Sequence, residues 1–126
     1  MRQRIRAERR ALPPVERAAA DRAIAARLRA LDVFRRARRV AVFLAFDGEP
    51  SLRRVVEDAV RAGKRVYAPI ITRRAMSFAE LDFGARLGTN FFGILEPDRA
   101  KRIDPRRLDL VLTPLVAFDD RGVRIG

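Results

Sequence analysis

Apolar positions along the chain repeat with two different periods. Ile24, Leu28 and Leu31 recur at helical spacing in residues 14–31, and Leu52, Val55, Val56 and Val60 do the same in residues 51–63. The first of these segments opens on a proline suited to a first helical turn and is rich in alanine. The second is bracketed by Ser51 as N-cap and Gly63 as stop. A further helix is predicted over 2–12 (RQRIRAERRAL), ended by Pro13 and Pro14 because a residue before proline is driven out of the helical region. Short apolar runs rich in β-branched and aromatic residues predict strands near Val40–Ala45, at RVYAPII (65–71) and near Asp109–Val116, the last apolar on both faces. AMSFAEL (75–81) suits an antiparallel piece, and residues 83–108 read as irregular around GTNFFGILEP.

Strand, helix, strand and a later buried strand form the pattern of an α/β domain. The expectation is a three-layer α/β/α arrangement with a mostly parallel sheet. The 126 residues make one domain, with N-terminal helices over 2–31 and the sheet with its helices over 38–126. Ligands of such sheets gather beyond the carboxyl ends of the strands. That singles out FDGEP (46–50) and AFDDRGVRIG (117–126).

Composition narrows the chemistry. Cysteine and histidine are both absent, which excludes disulfides, zinc clusters, Cys nucleophiles and His bases. Any catalysis rests on Arg, Lys, carboxylates, Tyr, hydroxyls or backbone amides, and no residue is nominated as a catalytic group or metal ligand. No apolar run approaches the ~20 residues of a membrane helix. The segment MRQRIRAERRAL lacks the apolar core of a signal peptide, so a cytoplasmic setting is expected.

The net charge of +12 raises the alternative of a basic nucleic-acid-binding α/β module. Residues 1–39 carry 13 Arg against 4 acids, yet no aromatic that could stack on a base precedes Phe34. Only Lys64 and Lys101 are lysines, an imbalance that together with abundant alanine points to a GC-rich genome rather than to phosphate contacts. Specific nucleic-acid binding is therefore not expected. Arg2, Arg6 and Arg10 share one face of the first helix, either as a solvated stripe or as an anion-binding one.

Glu49 admits two readings: a surface acid ahead of a helix N-terminus, or a carboxylate that accepts a ligand's N–H groups. Asp47 is the weaker candidate, because Asp-Gly is ordinary turn chemistry. Asp119, Asp120, Arg124 and Gly126 read as a turn or as the beginning of a phosphate loop, which needs several glycines.

Several pieces, in order, resemble the 5-formyltetrahydrofolate cyclo-ligase (5,10-methenyltetrahydrofolate synthetase) family. They are an N-terminal helix opening with Arg2 and closing in RRAL, then VAVFLAFDGEPSL, AGKRVYAPI, the MSF strand, GILEP and DLVLTPLVAFDDRGVRIG. The resemblance implies conversion of 5-formyltetrahydrofolate to 5,10-methenyltetrahydrofolate, driven by ATP with Mg2+ and releasing ADP and phosphate. It implies ATP contacts from Arg2, Arg124 and Gly126, and a folate site lined by Leu44 and Glu49. In the family the last stretch runs on into a loop of the form R-x-G-x-G-x-G-Y-Y-D. By that comparison the chain is expected to stop inside the ATP loop, as an N-terminal fragment with little or no activity as written.

Overall fold

The computed structural model describes residues 1–71, 73–81 and 97–125. Helices α1 (Arg2–Arg10), α2 (Pro14–Ala30), α3 (Asp32–Arg36) and α4 (Arg53–Arg61) are joined to strands β1 (Arg39–Ala41), β2 (Arg65–Ile71), β3 (Met76–Leu81), β4 (Pro97–Ile103) and β5 (Leu110–Val111). A short 3-10 turn lies at Pro105–Arg107, and β6 (Ala117–Phe118) with β7 (Arg124–Ile125) forms a separate hairpin.

The five-stranded sheet has the order β4-β3-β2-β1-β5. Strands β2, β1 and β5 are mutually parallel, whereas β3 and β4 are added antiparallel to β2. The α/β class agrees with the sequence, but the sheet is mixed rather than mostly parallel. Pro69 lies past the last β1–β2 rung at Tyr67, where β2 is paired on one side only, so its missing N–H breaks no ladder with β1.

Alternation along β1 and β2 divides the core in two. Val40, Val42, Val66 and Ala68 face Ala25, Phe34, Leu52, Val55, Val56 and Ala59 of the helical layer. Ala41 and Tyr67 point the other way, to Ile103, Phe78 and Leu108. Helices α2, α3 and α4 thus cover one face, and among the described residues no helix covers the other, so the expected third layer is not seen there. Val56 is fully buried, a placement that contributes on the order of 1.5–3 kcal/mol.

Strand β1 ends at Ala41 rather than reaching Ala45, α4 has Leu52 rather than Ser51 at its N-cap, and three further expectations differ. Strand β5 is two residues long rather than spanning 109–116, and it lies at the sheet edge, where one neighbour suffices to fix it. The segment predicted as irregular contains β4 and the 3-10 turn. Leu31, expected on the inner stripe of α2, is exposed, because the chain leaves the helix there and restarts as α3 with Phe34 as its buried anchor.

At the start of β5 the Asp109 carboxylate accepts hydrogen bonds from the Arg38 and Arg39 amides at 2.8 and 2.9 Å. Those bonds, chiefly the one from Arg39, hold its pKa below the usual carboxylate value. Strand β5 is thereby tied to the entry of β1.

Candidate functional site

Beyond the carboxyl end of β1 the chain runs through Phe43, Leu44 and Ala45 into a tight turn at 46–49. The Glu49 amide donates to the Phe46 carbonyl at 3.1 Å, and both central residues have positive φ, 56° at Asp47 and 76° at Gly48. That is the pattern of a type I′ turn, for which Asp-Gly is a preferred pair. Glu49 also closes the turn from the other side, since its Oε1 accepts the Phe46 amide at 2.9 Å. The turn fixes the carboxylate's direction and leaves Oε2 without a partner in the turn.

Three arginines fasten this turn to α1. Arg9 donates from Nε and Nη2 to the Asp47 carbonyl at 3.1 and 2.8 Å, and from Nη1 to the Leu115 carbonyl at 3.4 Å. Arg10 grips the Asp47 carboxylate with two donors, Nε to Oδ1 and Nη2 to Oδ2, the latter at 3.0 Å. This contact, ahead of the neighbouring positive charges of Arg9 and Arg6, holds the Asp47 carboxyl below its ordinary pKa. Arg17 donates to the Gly48 carbonyl at 3.0 Å and to the Arg9 carbonyl at 2.7 Å, the latter in the last turn of α1, where it also accepts the Leu12 amide at 3.4 Å. The approach is close. A Cβ on Gly48 would lie 3.3 Å from the Arg10 nitrogen.

Between α1, this turn and the chain after β5 lies a cleft of about 210 Å³. Arg6 and Arg9 contribute from α1; Phe46, Asp47 and Glu49 from the turn; Pro114, Leu115 and Val116 from the segment after β5. It sits beyond the carboxyl ends of adjacent parallel strands, where an α/β sheet is expected to receive a ligand. Phe46 is 79% exposed, presenting a free aromatic face next to Glu49.

Of the residues singled out from sequence, Glu49 lines the cleft. Leu44 is 44% exposed on the same loop and is not part of the cleft wall. Arg2 is exposed on α1, one turn ahead of Arg6, and does not line the cleft. Arg124 is exposed on β7, opposite Phe118. Its hairpin is joined to the cleft wall by the bond from the Val116 amide to the Ile125 carbonyl at 2.8 Å. Gly126 lies outside the described residues. Asp119 plays a turn role, accepting the Arg121 and Val123 amides, each at 2.9 Å.

Sequence reasoning missed Arg9 and Arg17, which point inward onto the loop instead of joining a solvated basic stripe. It also left Arg6 undivided from Arg2 and Arg10. Helical spacing assigns a residue to a face but not the object that face meets. Among the described residues no group of three His, Cys, Asp or Glu could hold a metal ion, and no helix is long and apolar enough to cross a membrane.

Comparison with known proteins agrees with this architecture. The 5-formyltetrahydrofolate cyclo-ligase of Escherichia coli K12 is 38% identical over 127 residues, which span 97% of this chain and 70% of that relative. The Haemophilus influenzae cyclo-ligase is 34% identical over 97 residues, spanning 73% of this chain and 52% of the relative. The NMR structure of Aquifex aeolicus 5,10-methenyltetrahydrofolate synthetase superimposes with a TM-score of 0.79 at 27% identity, covering 99% of this chain and 64% of that one. The Mycoplasma pneumoniae synthetase, at 20% identity and a TM-score of 0.74, shares the fold. The matched stretch thus spans between 52% and 70% of the length of these relatives. The family model for 5-formyltetrahydrofolate cyclo-ligases matches residues 1–126 in full, and the chain belongs to that family.

Proposed function

We propose that this chain contributes the substrate cleft of a cytoplasmic, ATP-dependent 5-formyltetrahydrofolate cyclo-ligase. The reaction transfers the γ-phosphoryl group of ATP to the formyl oxygen and releases ADP. Attack of N10 on the activated carbon then closes the ring, and the N10 proton and phosphate depart, leaving 5,10-methenyltetrahydrofolate. Such a sequence asks the protein for positioning and for neutralising charge more than for proton transfer. That suits a chain without histidine or cysteine.

The observation that carries the reading is the Glu49 carboxylate. It is half-buried at the cleft, aimed by its own turn and flanked by the exposed Phe46 ring. A carboxylate beside an aromatic face matches a flat heteroaromatic ring with N–H donors on one edge, which describes a pterin. Leu44, on the same loop, adds an apolar contact to the folate in this reading. Arg2 on α1 and Arg124 on the hairpin, with the backbone at Gly126, take the nucleotide's phosphates. The two carboxylates of the cleft do not fit a Mg2+ site: both oxygens of Asp47 are committed to Arg10, and the remaining oxygen of Glu49 is a single ligand where a cation needs several. No step is assigned to the metal, which in this reading arrives with ATP.

Glu49→Gln tests the proposal. The amide keeps an oxygen for the Phe46 N–H but loses the charge. Titration with 5-formyltetrahydrofolate is expected to show binding weaker by about 1–3 kcal/mol, with unfolding little changed. Unaltered folate affinity would remove Glu49 from the site.

A further inference from the structure

The arginines around the cleft are not equally engaged. Arg9 is occupied by the Asp47 and Leu115 carbonyls, Arg10 by the Asp47 carboxylate, and Arg17 by the carbonyls of Gly48 and Arg9. Arg6 lines the same cleft, yet its Nε is buried and has no hydrogen-bond partner among the described residues. Asp47 is near enough to feel the charge of Arg6, but both its oxygens are held by Arg10. A guanidinium carries five donors in a planar fork, and burying one of them unpaired is unfavourable unless something else accepts it.

We propose that Arg6 is the oxyanion-holding residue of this cleft. Its fork receives two oxygens of a substrate anion, either a phosphate of the nucleotide or a carboxylate of the folate's glutamyl tail. The inference rests on the reading of the cleft as the substrate site and adds a second pole to it. Glu49 takes a donor edge and Arg6 takes an anion, so the cleft selects a ligand, or a pair of ligands, bearing both. Fork geometry matters because Arg, unlike Lys, engages a carboxylate or phosphate through two parallel bonds.

The test compares the wild-type chain with Arg6→Gln, Arg6→Lys and Glu49→Gln, titrated separately with ATP, 5-formyltetrahydrofolate and 5-formyltetrahydropteroate, which lacks the glutamate. Arg6→Gln is expected to weaken one ligand by about tenfold or more, with Arg6→Lys recovering part of the loss. A loss confined to ATP identifies the phosphate. A loss for the folate but not for the pteroate identifies the glutamyl carboxylate. If Arg6→Gln binds all three like the wild type while Glu49→Gln still weakens the folate, the assignment of Arg6 is overturned and the cleft reading stands. If the wild type binds none of them, or neither substitution has any effect, the cleft reading falls and Arg6 with it. Equal losses for all three ligands, accompanied by a lower urea midpoint and no recovery in Arg6→Lys, would make Arg6 a structural residue and overturn the proposal.

Discussion

Replacing Arg9 with methionine keeps a long apolar stem on α1 and removes the guanidinium that reaches over to the FDGEP turn. The Arg9 side chain is only 15% exposed, so solvent screens its contacts weakly. It makes two bonds to one acceptor, the Asp47 carbonyl, and a longer one to the Leu115 carbonyl. A hydrogen bond from a charged donor contributes about 1.5–3 kcal/mol net. The two bonds to Asp47 share an oxygen and count as little more than one, and the 3.4 Å bond adds a small increment. The expected loss is therefore about 2–3 kcal/mol. For a domain of this size that corresponds to a fall in Tm on the order of 6–15 °C.

The informative control is Arg4→Met on the same helix. Arg4 is 75% exposed and pairs with Glu8, one turn away at 3.7 Å, a pair of a kind that contributes about 0.3–0.5 kcal/mol. Urea unfolding of the wild type and both variants should show Arg9→Met with a clearly lower midpoint and an unchanged slope, and Arg4→Met close to the wild type. The Arg9 variant should also bind 5-formyltetrahydrofolate less well, because the turn that aims Glu49 has lost a fastening. Equal midpoints for the two variants would refute the claim that arginine-to-carbonyl bonds hold the loop in place.

Two further outcomes follow from the same structure. Gly48→Ala should cost about 2–4 kcal/mol, combining the penalty of positive φ with a Cβ forced to within 3.3 Å of the Arg10 backbone. Gly63→Ala, with φ of 79° and open space, should cost only about 1–2 kcal/mol, and thermal melts that rank the two the other way would contradict the close packing of turn on helix. The third prediction concerns acid. The folded pKa of Asp109 is depressed, so its contribution is complete above the unfolded value near 3.9 and is lost as pH falls through the folded value. Asp109→Asn should be the less stable protein at neutral pH and should converge on the wild type as pH falls through the depressed folded value of Asp109, whereas a gap in urea midpoints that stays constant as the solution is acidified would oppose the assignment.

Much of the fold was legible because burial leaves a period. Val55 and Val56 on α4, and Val66 and Ala68 on β2, had to be apolar at helical and alternating spacing to share one core, and that spacing is visible in the letters. Strand β4 left no such trace. PDRAKRI occupies a sheet edge, where main-chain pairing with β3 defines the strand and few side chains need be apolar. The opposite error arose at 109–116, where a continuous apolar run was taken as continuous strand. Pro114 has no N–H, and the ladder from β1 reaches only as far as the bond from the Leu112 amide to the Ala41 carbonyl.

The place of Glu49 at the cleft was legible in the sequence, whereas the places of the arginines were not, for a physical reason. Glu49 follows a buried strand and an Asp-Gly turn, so local sequence alone places it at the strand end. The arginines that matter act at long range, on partners 31 to 38 residues away in the case of Arg17, Arg9 and Arg10 on the turn. No local pattern distinguishes them from the other arginines of a chain so rich in them. Helix α1 buries no residue fully, so apolar burial cannot be what fixes it. Its position depends on guanidinium forks that each reach more than one oxygen of the turn, the helix end or the segment after β5, a task for which lysine's single ammonium is poorly shaped. The basic N-terminal segment is therefore in part a fastening between α1 and the FDGEP turn, and Arg6 of the one and Glu49 of the other both line the cleft. A ligand that engages both meets a loop already held by Arg9, Arg10 and Arg17, so little of its binding energy goes into ordering that loop.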